Sequence, residues 1–109
     1  MSALRAEERV PSADEALPDL FMDEVSALVE EQPELSPLDA GVLVALEHGV
    51  ARDTRAFAKL FGIAHALVLR AASELEDRFG LVVADTRQER SQRRHLSLTP
   101  AGHLLLAAR

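Results

Sequence analysis

The chain has 109 residues, a length that fits one domain with a tail, and it has no cysteine, which excludes disulfide scaffolds, cysteine-based zinc sites and cysteine nucleophiles. Apolar residues make up 48% and aromatics only 4%, a balance dominated by Ala and Leu that favours helices over a β-sandwich. The net charge is −6 but uneven: residues 1–35 carry ten acids and two bases, whereas residues 36–109 carry ten bases and eight acids.

Residues 1–17 mix Ala, Glu, Ser and Pro without a steady period and read as a flexible acidic tail ahead of a folded domain over 18–109. In 19–31, Leu20/Phe21, Val25 and Leu28/Val29 recur at helical spacing, with acids opposite, and Pro33 ends the segment. Ser36-Pro37-Leu38-Asp39 supplies an N-cap, a proline at N1 and an acid at N3, and so predicts a second helix ending near Gly49. Asp53 or Thr54 caps a third helix that carries Phe57, Leu60 and Phe61 and stops at Gly62.

A fourth helix follows almost at once, over about 64–79. Ala64, Leu67, Val68, Ala71, Ala72, Leu75 and Phe79 form its expected buried stripe, and Gly80 ends it. Residues 81–84 read as a strand, the polar run 85–92 as a loop, and the alternation over 93–98 as a half-buried strand. Thr99-Pro100 opens a short last helix with Leu104, Leu105 and Leu106. The fold class is therefore mainly α with a small β-hairpin. The very short turn around Gly62, followed by a hairpin with an arginine-rich tip, makes it a winged helix-turn-helix.

Several segments carry a family resemblance. Residues 57–63, Phe-Ala-Lys-Leu-Phe-Gly-Ile, look like the first helix and turn of a helix-turn-helix. Arg70, Ser73-Glu74-Leu75-Glu76 and Gly80-Leu81-Val82 are similar to a recognition helix and its exit into a wing. Leu96-Ser97-Leu98-Thr99-Pro100-Ala101-Gly102 resembles the return strand and following helix start of MarR-type regulators. The likeness spans about residues 38–107, and the size fits the small stand-alone winged-helix relatives, which dimerise through N-terminal elements. It implies a bacterial or archaeal cytoplasmic transcription regulator. Such a protein binds double-stranded DNA as a homodimer, with the recognition helix in the major groove and the wing, about 85–94, on the backbone or in the minor groove.

Under that reading the candidate DNA ligands are His65 and Arg70 on the recognition helix, Lys59 on the helix before it, and Arg87, Arg90, Arg93 and Arg94 on the wing. Arg52 and Arg55 are further candidates for backbone phosphate. The start of the recognition helix departs from the family pattern. Ala64, Ala66, Leu67 and Leu69 stand where polar readers are usual, so His65 and Arg70 alone offer donors there.

The rival reading is a winged-helix module for protein–protein contact, with the acidic N-terminal helix as one surface for a protein partner. No membrane contact is expected: no apolar run approaches the roughly 18 residues of a membrane span, and residues 1–10 lack the apolar stretch of a secretory signal. No cofactor or metal is expected either. His48, His65, His95 and His103 are spread over separate elements, without the i, i+4 spacing of a helical metal site. The paired acids read as solvated faces, and no catalytic motif is present, so no enzyme is expected.

Overall fold

A computed structural model describes residues 13–85 and 92–108, with side chains from residue 20 onward. The elements run α1 (Ala13–Glu31), α2 (Pro37–His48), α3 (Thr54–Phe61), α4 (His65–Asp77), β1 (Val82–Ala84), β2 (Leu96–Leu98) and α5 (Pro100–Ala107). It is the expected mainly helical winged helix-turn-helix.

The middle of the molecule is α2. Its eight consecutive residues from Asp39 to Leu46 are all buried. A helix apolar on every side can only be an interior one. Its start is fixed by the capping box: the Asp39 amide donates to Ser36 Oγ at 3.0 Å, and the Ser36 amide donates to Asp39 Oδ2 at 3.3 Å. Its end is set by Gly49 at φ 70°, whose amide reaches the carbonyls of Ala45 and Leu46.

Around α2 pack α1, α4, α5 and β2. From α1, Val25 and Leu28 are buried, with Phe21 and Val29 partly so. Phe61 joins α1 to α3, with ring centroids 6.1 Å from both Phe21 and Phe57. Asp53 caps α3 by accepting the Ala56 amide at 2.8 Å. Gly62 then turns the chain at φ 68° into α4.

Three expectations are corrected. First, α1 begins at Ala13, six residues before the expected 19, so residues 13–17 are helix rather than tail. Ala13, Glu15, Ala16 and Leu17 are strong helix formers, and a search for an apolar stripe does not see them. Residues 1–12 lie outside the described ones. Second, α4 spans 65–77 rather than 64–79, with Ala64 as its N-cap. Third, the buried stripe of α4 is Val68, Ala71, Ala72 and Leu75, whereas Ala64 is exposed, Leu67 is 48% exposed and Phe79 is half-buried beyond the helix end. A stripe at i, i+3, i+4, i+7 starting from Val68 leaves Leu67 beyond its edge. On the outer helices Leu60 and Leu104 are exposed, and Leu106 is the buried leucine of α5.

The wing is an antiparallel pair with Val82 opposite Leu98, Val83 opposite Ser97 and Ala84 opposite Leu96. The connector before α3 adds a third edge that the sequence did not announce. Asp53 forms an isolated bridge with His95, the Leu96 amide donates to the Arg52 carbonyl at 2.8 Å, and the Thr54 amide donates to the Arg94 carbonyl at 2.9 Å.

Thr99 locks the return. It caps α5 by accepting the Gly102 amide at 3.1 Å, and its hydroxyl donates to the Gly80 carbonyl at 2.7 Å. Gly102 is buried against the Leu81 carbonyl, and a β-carbon there would collide with that oxygen and crowd Leu98. Because the neighbour is backbone, it cannot swing away. Gly102→Ala is therefore expected to cost about 2–3 kcal/mol or more, measured by urea denaturation. An unchanged midpoint would show that α5 does not seat as described.

Candidate nucleic-acid interface

The second helix of the motif, α4, buries one side against α2 and β1 and leaves Ala66, Leu67 and Arg70 exposed, with His65 and Leu69 half-buried. Its N-cap, Ala64, makes no side-chain hydrogen bond to the first turn. The Leu67 amide turns back to the Ala64 carbonyl at 3.1 Å, which leaves the His65 and Ala66 amides to an external acceptor, and the positive end of the helix dipole adds to their pull on an anion.

Two guanidinium groups act at this end. Arg55 on α3 and Arg93 on the wing both act electrostatically on His65, against Asp53. Burial is the leading cause that holds the His65 imidazole below its usual pKa, and the two guanidinium groups push the same way. Lys59 is exposed in the last turn of α3, and Arg70 is exposed one turn beyond the start of α4.

The expected ligands do not all stand alike. Arg93 is 46% exposed at its side chain and lies 3.7 Å from Asp53 Oδ1. Arg94 is drawn further in: its side chain is 31% exposed, Nη2 is 3.7 Å from Glu76 Oε1, and Nε–H donates to the Asp85 carbonyl at 3.3 Å. Glu76 in turn accepts the Ala84 amide at 3.1 Å through its other oxygen. Arg94 thus braces the base of the hairpin on α4. Arg87 and Arg90 lie outside the described residues. Glu74, four residues beyond Arg70 on the same helix, lies 3.6 Å from Arg78.

Two residues that sequence reading valued for other reasons turn out to organise this region. Thr54, read as a cap, is fully buried and hydrogen-bonded to His65 and to the Arg94 amide, while Asp53 does the capping. The caps are short-range and legible; a hydroxyl bridging residues 40 apart has no local signal. Asp39, read as a capping acid, is only 2% exposed, and its carboxyl also hydrogen-bonds Glu74 of α4. Burial, reinforced by the Glu74 carboxyl and opposed by Ser36, raises its pKa from 3.8 to about 6.

One group of potential metal ligands exists among the described residues: Glu24, Glu47 and His48, with ligand atoms within 4.8 Å of one another. His48 Nε2 is 2.6 Å from Glu24 Oε2, an exposed pair joining α1 to the end of α2. Histidine spacing alone could not reveal it, because the partner is on another helix. Among the described residues no helix is long and apolar enough to cross a membrane.

No protein-family model matches the sequence, and no curated protein matches it. A solved structure does match: the YusO protein of Bacillus subtilis, at 20% identity and a TM-score of 0.60, covering 89% of this chain and 74% of that one. The chain has the winged-helix fold of YusO, a MarR-family regulator. At this identity the likeness is one of fold.

The Asp39 carboxyl gives a pH prediction. Its folded pKa exceeds the unfolded value, so the folded state holds the extra proton, and the stability this contributes is full below about pH 4 and lost as pH rises through about 6. Asp39→Asn cannot titrate. Relative to wild type it should gain on the order of 2 kcal/mol between pH 4 and pH 7.5, read by denaturation at the two pH values. Parallel pH profiles would show that Asp39 is not a buried, proton-holding group.

Proposed function

We propose that the chain is a DNA-binding transcriptional regulator that lays α4 in the major groove and its wing along the backbone or minor groove. The observation that supports this reading is the local charge: Arg55 and Arg93 act on His65 at the start of α4, Arg70 is exposed on α4 itself and Lys59 is exposed in the last turn of α3, in a fold shared with a MarR-family regulator.

Arg70 supplies donors suited to guanine N7 and O6. Leu67 offers an apolar surface suited to a thymine methyl. Lys59, Arg93, Arg87 and Arg90 are the phosphate ligands. Arg94 acts as a brace rather than a ligand. His65 has one ring nitrogen committed to Thr54, which leaves the other for DNA.

The protein acts as an intracellular homodimer on a near-palindromic site with half-sites about one helical turn apart. Exposed Leu20 and Met22 of α1, Val50 beside them and Leu104 of α5 supply apolar surface for pairing. No cofactor, metal or catalytic step enters this mechanism.

A second reading rests on one observation. Leu60 and Leu67 are exposed large apolar residues on the motif, and an apolar outer face also suits a protein partner.

Titration of duplex DNA at several salt concentrations separates the two. A regulator should bind with log affinity falling steeply with log salt, by about 0.9 per phosphate contacted. Lys59→Glu with Arg70→Glu should weaken binding by about tenfold or more, with an unchanged helical spectrum. Arg87→Glu with Arg90→Glu should flatten the salt slope by about 2. Binding that ignores salt, or its absence at micromolar protein, would favour the protein-partner reading.

A further inference from the structure

The hydroxyl of Thr54 joins three parts of the molecule. Thr54 is the first residue of α3 and is fully buried. Its Oγ1 accepts the Arg94 amide at 3.0 Å and lies 2.7 Å from Nε2 of His65, the first residue of α4. The backbones of Thr54 and Arg94 are also paired directly, at 2.9 Å. A hydroxyl has one hydrogen to give and two lone pairs to receive.

The Arg94 amide can only donate, so it occupies a lone pair of Oγ1. Among the described residues the hydroxyl hydrogen has one acceptor within reach, His65 Nε2. The reverse arrangement, with Nε2–H donating, would leave a buried hydroxyl hydrogen without an acceptor, which folded proteins avoid. Thr54 therefore donates, the imidazole is neutral, and its proton sits on Nδ1. The downward pKa shift of His65, from burial and from Arg55 and Arg93, runs in the same direction.

We infer that Thr54 and His65 form a latch that ties the recognition helix to the base of the wing, so that the two DNA-facing elements move as one body. His65 is then a positioning residue through Nε2. What remains for a ligand is the Nδ1–H donor, which suits an acceptor such as a phosphate oxygen or a purine N7. The consequence for DNA rests on the regulator reading. The latch itself does not, because it exists in the free protein.

The experiment uses the full chain. Thr54→Val removes the hydroxyl and keeps the shape and the backbone pair, whereas Thr54→Ser restores the hydroxyl. His65→Phe removes the acceptor, whereas His65→Gln offers a carbonyl in its place. In the free protein the Arg94 amide should exchange with solvent faster in Thr54→Val than in wild type or Thr54→Ser. Nitrogen NMR of wild type should find the His65 proton on Nδ1.

With duplex DNA, Thr54→Val and His65→Phe should each weaken binding by about three- to tenfold, the range expected for one hydrogen bond. The double variant should be no worse than the worse single one, since both break the same contact. Thr54→Ser should stay near wild type, and His65→Gln should keep the wild-type Arg94 amide exchange in the free protein. Wild-type Arg94 exchange in Thr54→Val, a proton on Nε2, or losses that multiply would each overturn the latch. If wild type binds no duplex, the regulator reading fails, while amide exchange and the tautomer still decide the latch. If Thr54→Val does not fold, the tautomer and Arg94 exchange in His65→Phe decide it.

Discussion

Everything in this molecule leans on the all-round burial of α2. A helix whose residues 39–46 all face protein must be walled on every side, and α1, α4, α5 and β2 are those walls. The helix-turn-helix is therefore not free-standing. Val68, Ala72 and Leu75 of α4 are fully buried in the same core as Val42, Leu43 and Val44 of α2. Each valine or leucine among them contributes about 1.5–3 kcal/mol when taken fully out of water, so the outward face of α4 is aimed by the packing of its inward face. The buried Asp39 carboxyl opposes this. It starts α2 correctly through the capping box, yet its ionised form sits in the wall facing Glu74. One residue thus serves local structure at the expense of the interior.

Positioning and charge are divided between residues in the wing. Its two strands are only three residues long, too short to stand alone in water. They are held by the connector at 52–54, by Glu76 on the Ala84 amide and Arg94, and by Thr99 on Gly80 and Leu81. Each tether consumes a polar group that sequence alone would count as available. Arg94 shows the conversion most clearly, since its charge satisfies Glu76 and its Nε–H the Asp85 carbonyl. Arginine suits this use because its planar fork serves several acceptors at once. Counting arginines near a hairpin therefore overstates the cations it offers to a polyanion.

The fold was legible because its signals are local. Ser36-Pro37-x-Asp39, Asp53, Thr99-Pro100 and glycines 49, 62 and 80 mark helix starts and stops within one turn, and the structure uses each of them. The 3.6-residue period then told which side of α4 faces in, apart from Ala64 and Leu67 at its start. What stayed hidden depends on contacts between distant positions. Thr54 with Arg94, Glu76 with Arg94, Asp39 with Glu74 and Glu24 with His48 each join elements that the sequence keeps far apart. The wing's third edge was missed for the same reason, since residues 52–54 have no strand pattern and pair only because α3 starts beside the returning chain.

The net charge of −6 carries less weight against a nucleic-acid partner than it first does, for a reason of scale. At physiological salt a charge is screened over roughly 8 Å, so a phosphate backbone responds to the groups it touches rather than to the total. The acids are concentrated before residue 36, and α1, which holds many of them, packs on α2. Around the start of α4 the balance is different: Arg55 and Arg93 stand near His65 with Asp53 between them, and the helix end adds its own positive field. Asp53 is committed to the Ala56 amide as a cap, so its negative charge is partly spent on the backbone of α3. The groups known at this corner are the Arg55 and Arg93 guanidinium groups, the Asp53 carboxylate shared between Arg93 and the Ala56 amide, and the first amides of α4. That corner, set by how α3, α4 and the wing converge, is where the proposed DNA contact rests.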